Sequence, residues 1–242
     1  MYYGFDYTYV IYVLPAVILS LIAQIMVKGR FSRYDLVMSK RRITGEQAAK
    51  FLLQKNGIYD VKIAHISGSL TDNYNPNTKV LSLSDSTYAS TSIAAIGVAA
   101  HETGHAIQHA TDYKALSLRK TLVPAANIGS RFGPTLVILG IIFGNTAQAV
   151  ELFSLGQLIT NVGIILFGLS VLFYIVTLPV EFNASRRALR ILKETDTLDK
   201  SELHGVRKVL SAAAMTYVAS ALTAIGSMIR LIALSNQRKN RR

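Results

Sequence analysis

Leu158-Ile-Thr-Asn-Val-Gly-Ile-Ile-Leu-Phe-Gly-Leu-Ser-Val-Leu-Phe-Tyr-Ile-Val-Thr-Leu-Pro-Val180 carries no charged side chain and exceeds the ~20 residues a helix needs to cross a hydrocarbon layer. A buried helix of a soluble core needs neither that length nor that uniformity, so the stretch reads as a transmembrane span. N-terminally the uncharged run reaches Leu152. Ahead of it, Thr121 to Val150 is uncharged except for Arg131, and is most apolar at Leu136 to Phe143. Two crossings joined by a turn follow, with Asn145-Thr-Ala-Gln148 and Glu151 as the polar residues of the turn. A third crossing is Tyr9 to Val27, interrupted only by Ser20, Gln24 and its tyrosines. Met1 to Thr8 contains no Lys or Arg, so this segment lacks the basic start of a cleaved secretory signal and reads as a retained anchor. A fourth apolar stretch, Val209 to Ile229, is rich in Ala, Ser and Thr. It either crosses or packs through its small residues against the rest of the chain.

Basic residues set the orientation. Lys28, Arg30, Arg33, Lys40, Arg41 and Arg42 face Asp35 alone after the first span, while the amino end carries only Asp6, so the positive-inside rule puts the N-terminus outside. Lys114, Arg119 and Lys120 precede the hairpin, and Arg186, Arg187, Arg190 and Lys193 follow it, so both of its ends read as cytosolic. The tail Arg238-Lys-Asn-Arg-Arg242 also reads as cytosolic, which argues against a fourth full crossing. The expected layout is an anchor (1–28), a cytosolic α+β part (29–113), a transmembrane hairpin (114–180) and a C-terminal helical part (181–242) in a multi-pass protein of the plasma membrane. The net charge of +12 borders the apolar spans instead of forming a stripe interleaved with aromatics. This pattern fits attraction to anionic lipid and excludes a nucleic-acid binder.

Within the cytosolic part stands His101-Glu102-Thr103-Gly104-His105. Residues four apart share one face of a helix, so the two imidazoles can hold one zinc ion with Glu102 beside it. Ser90, Thr91 and Ser92 offer N-caps, and no proline interrupts Ile93 to His109. The chain has no cysteine, so a metal must rest on histidine and carboxylate. A metzincin is excluded, because position 111 is Thr where that pattern needs histidine and position 108 is Gln where it needs glycine. The apolar run Ile93 to Ala100 is too short for an intramembrane protease helix. His109 is a rim residue one turn past His105. Among downstream carboxylates, Glu151 falls in the outer turn. Glu181 follows the second hairpin crossing and returns to the side of His101 and His105. It is therefore the best-placed third ligand, against a plain role as a charge at the helix start.

Leu70-Thr-Asp-Asn-Tyr-Asn-Pro76, Val80-Leu-Ser-Leu-Ser84, Ser92-Ile-Ala-Ala-Ile-Gly-Val-Ala-Ala-His-Glu-Thr-Gly-His-Ala-Ile-Gln108 and Pro179-Val-Glu-Phe-Asn-Ala-Ser-Arg-Arg-Ala-Leu189 together resemble the YugP-type membrane zinc metallopeptidases of bacteria, which are similar in layout to the HtpX and CAAX-prenyl endopeptidase group. The resemblance implies His101, His105 and Glu181 as zinc ligands and Glu102 as catalytic base in hydrolysis of membrane or membrane-proximal polypeptides through a zinc-activated water. Thr103 departs from the bulky apolar residue usual inside the motif. Ser185 stands where the HtpX-like pattern has an aspartate that orients a ligand. Asn183 and Ser185 are candidates to orient the ligands by hydrogen bonds, and His109, Arg186 and His204 to stabilise an oxyanion.

The expected fold is a mainly α integral membrane protein of three or four transmembrane helices with a small α+β zincin-like part. In that part, Thr44-Gly-Glu-Gln47 is a capping-box start, Asn56-Gly57 a helix stop, and 60–66, 70–74 and 79–84 short strands. Lys79, Val80, Leu81 and Ser82 are the expected free sheet edge for an extended substrate, with a purely structural hairpin as the alternative. The competing function is a non-catalytic membrane adaptor with a structural metal site.

Overall fold

The structure is a computed structural model that describes residues 7–146 and 150–239. The expectations that rest on Asp6, on the turn at Asn145–Gln148 and on the tail Arg238–Arg242 fall wholly or partly outside the described side chains. The described chain is mainly helical. Seven helices, α1 (Tyr7–Tyr12), α2 (Leu14–Asp35), α3 (Gly45–Lys55), α4 (Ile93–Ala110), α5 (Lys114–Thr146), α6 (Val150–Glu194) and α7 (Lys200–Lys239), accompany three strands, β1 (Lys62–Ile66), β2 (Asn73–Asn75) and β3 (Val80–Ser84). The chain divides into two compact units. One comprises residues 1–22, 118–177 and 217–242, the other 23–117 and 178–216.

The first unit is built from apolar helices. Segments of α2, α5, α6 and α7 are each long and apolar enough to cross a membrane, so the Val209–Ile229 stretch qualifies along with the three spans read from sequence. The first span is broken at Val13, because Pro15 has no N–H to offer the carbonyl four residues back. The ladder resumes on either side, Val13 N donating to Tyr9 O at 2.9 Å and Val17 N to Val13 O at 3.1 Å. Large apolar side chains such as Ile11, Leu21, Ile142, Leu158 and Ile165 stand exposed on these helices, as lipid-facing side chains do. α5 and α6 pack backbone against backbone. A Cβ added at Gly129 would meet the Leu166 carbonyl at 2.0 Å, and one at Gly140 the Gly156 carbonyl at 2.6 Å. Ser170 Oγ seals the same contact by donating to the Ala126 carbonyl at 2.9 Å.

The second unit has an α+β core. Ala48, Ala49, Leu52 and Leu53 of α3, Leu81 and Leu83 of β3, Ile93, Ile96, Ala99, Ala100 and Ile107 of α4, and Ala188, Ile191 and Leu192 of α6 form one buried cluster. α3 starts at the expected capping box: Thr44 Oγ1 accepts from Gln47 N at 3.2 Å, and Gln47 Oε1 accepts from Thr44 N at 3.0 Å. It stops at Asn56, followed by Gly57 at φ +71°.

The sheet order is β1-β3-β2. β3 pairs parallel with β1, Lys62 opposite Val80 through Ile66 opposite Ser84, and antiparallel with β2, Asn73 opposite Ser82. This corrects the expected edge: Val80, Leu81 and Ser82 are paired on both sides, and Lys79 is the turn residue before them, at φ +53°. The reason is the parallel partner. Residues 73–84 alone make a hairpin with two edges, but β1 adds to its far side and turns β3 into the middle strand. The strand's alternation agrees, with Leu81 and Leu83 fully buried. The edges of the sheet are β1 and β2.

Candidate metal centre

The site begins with α4. Ser92 caps it, its Oγ accepting from Ala95 N at 3.1 Å, and no break follows before Ala110, so His101 and His105 lie one turn apart on one face. Gly104, between them, is what lets α6 come close. A Cβ there would lie 2.6 Å from the Ala184 carbonyl oxygen, a distance no side chain tolerates. With the two backbones in near contact, Glu181 of α6 reaches the histidine pair.

The resulting geometry is compact. Glu181 Oε2 lies 3.3 Å from His101 Nε2 and 3.6 Å from His105 Nε2, and the two rings meet edge to face with centroids 4.8 Å apart. Among the described residues, one ligand atom from each of His101, His105 and Glu181 falls within 4.8 Å of the others. Tetrahedral zinc bound at ~2.0–2.1 Å holds its ligand atoms ~3.3 Å apart, so this spacing suits that ion. His105, Glu102 and Glu181 are buried, and His101 is partly exposed, which leaves the cluster open on one side.

Electrostatics follow from burial. Desolvation pushes the Glu102 carboxyl above the ordinary carboxylate value; the imidazoles of His105 and His101 pull it partly back, and the carboxyls of Glu181 and Asp72 raise it further. A carboxyl in that setting holds a proton more readily than a solvated glutamate does. For His105, burial favours the neutral ring, but the hydrogen bond to Glu181 and the charge of Glu102 outweigh it, and the net direction is upward.

Each ligand ring is held from behind. Ser185 Oγ lies 3.1 Å from His101 Nδ1, the place for which sequence reasoning nominated it. His105 Nδ1 lies 3.0 Å from Gln108 Oε1, a partner that sequence reasoning missed. The available signal was the three-residue offset from His105, which puts Gln108 on the same helical face. Asn183 does not touch a ligand directly; its Oδ1 accepts from Gln108 Nε2 at 3.0 Å and from Arg187 Nε at 2.8 Å.

The oxyanion candidates are not drawn into the cluster. His109 Nδ1 is engaged by the Tyr74 hydroxyl at 2.8 Å. Arg186 is exposed on α6, its Nε directed at the Phe182 carbonyl at 3.4 Å. His204 is exposed on α7 beside Gly205, whose neighbour is Ile93 at the start of α4, about 12 Å along that helix from His101.

Comparison with known proteins shows the family. Residues 9–236 match the family model described as "Putative neutral zinc metallopeptidase". The chain belongs to this zinc metallopeptidase family. The chain is also similar to the "Putative membrane protease YugP" of Bacillus subtilis (strain 168), with 42% identity over 214 residues that cover 88% of this chain and 90% of that one. No solved structure matches it. The match to the family model runs through both units.

Proposed function

We propose that the protein is a zinc-dependent membrane endopeptidase of gluzincin type, in which His101, His105 and Glu181 hold the ion and Glu102 is the general base. The carrying observation is the meeting of a carboxylate with two imidazoles far away in sequence, at distances of 3.3 and 3.6 Å. The donor set fits zinc by chemistry as well as spacing: two imidazole nitrogens turned inward, a buried carboxylate, and partners behind both rings. Bound zinc supplies Lewis acidity that makes a water acidic enough to ionise near neutral pH and polarises the scissile carbonyl.

The chain's own residues then divide the work. Glu102 takes the proton from the attacking water and returns it to the leaving amine. Ser185 and Gln108 keep the rings aimed. Of the two strands with an unpaired edge, β2 is the one whose Tyr74 reaches α4 at His109, so an extended substrate main chain adds there. His109 or Arg186 serves as the oxyanion donor only after substrate-driven rearrangement. In this reading the three-stranded sheet and α4 are a reduced zincin-like unit.

The four apolar helices support a multi-pass protein. The basic residues support an outside N-terminus, a cytoplasmic active site in the plasma membrane, and attraction of Lys28, Arg30 and Arg33 to anionic lipid. Polypeptides at or emerging from the bilayer are the substrates that fit a ligand standing one residue after the span ending at Val180. A non-catalytic adaptor with a structural metal is the weaker reading, because structural zinc is normally enclosed by four protein ligands and the described cluster offers three. The deciding experiment is cleavage of an unfolded peptide by the purified detergent-solubilised protein. Chelator-sensitive, zinc-restored cleavage is expected; cleavage indifferent to chelator overturns the assignment.

A further inference from the structure

Gln108 is fully buried, and two of its three side-chain hydrogen bonds are to groups of known polarity. Its Nε2 donates to the Val180 carbonyl at 2.8 Å and to Asn183 Oδ1 at 3.0 Å. The first is a backbone acceptor with no hydrogen to give. The second also accepts from Arg187 Nε at 2.8 Å, which identifies it as the oxygen of that carboxamide. Both N–H bonds of Gln108 are therefore used on the α6 side, and the atom left facing His105 Nδ1 at 3.0 Å is an oxygen.

An oxygen with no hydrogen demands one from its partner. His105 Nδ1 must carry the proton, and in the neutral ring Nε2 then keeps its lone pair, turned toward Glu181 Oε2 3.6 Å away. His101 differs. Its Nδ1 faces Ser185 Oγ at 3.1 Å, and a hydroxyl both donates and accepts, so that contact is compatible with either tautomer.

We propose that Gln108 is a positioning residue that holds a proton on His105 Nδ1 and so reserves Nε2 as the nitrogen that meets a metal, by relaying the polarity of the Val180 carbonyl and the Arg187–Asn183 pair through its own carboxamide. This rests on the metal-site reading above and goes beyond it by naming which ligand is preset and by what. The relay also ties the two ligand-bearing helices together: the group that orients the α4 ligand is oriented by α6 on either side of Glu181.

The test is zinc affinity of the full-length detergent-solubilised protein, measured by competition with a chromophoric chelator, beside the visible spectrum of the Co2+-substituted protein and the melting of the zinc-free protein. Gln108→Met keeps the volume and removes the polarity. Val180 lies within α6 and keeps its helical partner, and Asn183 keeps Arg187, so the loss falls on His105. We expect affinity to fall about 10–100-fold, the range for lost partners of metal-bound histidines, with an altered Co2+ spectrum and zinc-free melting close to wild type. The 15N chemical shifts of the His105 ring in the zinc-free wild-type protein report directly which nitrogen carries a proton, and a protonated Nδ1 is expected. Wild-type affinity and spectrum in Gln108→Met, or an unprotonated His105 Nδ1 in the wild type, overturns the inference. Should Gln108→Met not accumulate as folded protein, the wild-type ring shifts decide alone: a protonated Nδ1 supports the relay, and an unprotonated one overturns it. A wild-type protein that takes up no zinc overturns the metal site itself, and is told apart because wild type and variant then cannot differ.

Discussion

α6 meets a neighbour by bare backbone contact twice, and the two contacts do different things. Against α5, in the apolar unit, the glycines Gly129, Gly133, Gly140, Gly156 and Gly163 repeat along the interface, and the groups between them are Val137, Phe167, backbone carbonyls and the hydroxyls of Thr160 and Ser170, each of which is spent on a helix carbonyl. Against α4, in the α+β unit, one glycine at the same kind of distance, Gly104 on the Ala184 carbonyl, is flanked by His101, His105, Gln108, Glu181 and Ser185. In the first contact, closeness is the product: with lipid outside, packing must hold the helices together. In the second, closeness is the means by which polar side chains too short to span a wider gap reach one another. The same device therefore predicts different failures.

The largest effect separates chemistry from architecture. Glu102→Gln removes the base and preserves size, so peptide cleavage should fall by about 10²–10⁴-fold while zinc content, measured by elemental analysis, stays at wild-type level. Residual cleavage at wild-type rate by a zinc-loaded variant would remove Glu102 from its role. Glu181→Ala should instead lose the zinc, and unchanged metal content would reassign the third ligand.

The next comparison sets Gly104→Val beside Gly133→Val. A Cβ at 133 would meet the Phe167 side chain at 2.8 Å and the Gly163 carbonyl at 3.0 Å, as severe a contact as the one at 104. Both variants should melt earlier. Only Gly104→Val should also bind zinc at least about tenfold more weakly per folded molecule, because only there does separating the helices pull Glu181 off the histidines. Equal zinc affinity in the two would mean that the α4–α6 approach does not set the ligand distances.

Removing zinc should distinguish the contacts more gently. An ion held by His101, His105 and Glu181 would join α4 to α6, so chelation should raise amide hydrogen exchange in α4 and in α6 beyond Leu178, leaving α5 and the preceding part of α6 as protected as before. A uniform change across α6 would show that the two contacts respond as one.

Much of this was legible because it is local. The His101–His105 spacing, the Ser92 and Thr44 caps, the Asn56-Gly57 stop and the long uncharged runs depend on nearest neighbours along the chain, and the structure reproduces each. The nomination of Glu181 needed only the parity of two crossings. The illegible parts are those fixed by partners remote in sequence. Whether β3 is an edge or a middle strand depends on β1 joining in parallel, and alternation of apolar residues reports a strand's faces, not its neighbours. Gln108 appeared only as the wrong residue for a metzincin glycine, because its role exists only once Gly104 has let Val180 and Asn183 into reach. Gly104 itself sits in a free position of the motif, and nothing along the chain marks it as the contact that α6 requires.

The smallest expected effect lies in the difference between the two ring supports. Ser185 stands where the resemblance led one to expect a carboxylate, and a hydroxyl is a weaker acceptor than either a carboxylate or the well-anchored oxygen of Gln108. Its removal in Ser185→Ala should therefore weaken zinc by about tenfold, the lower end of the range for such partners, and less than Gln108→Met does. Replacement by the acid of the HtpX-like pattern, Ser185→Asp, supplies a charged acceptor to His101 Nδ1 and should tighten zinc above wild type in the same competition assay. Tighter binding in Ser185→Asp together with loss in Ser185→Ala would establish that this serine orients His101 weakly by chemistry and not by distance. No change in either variant would mean that α4 alone holds His101, and that the two rings are supported by different means.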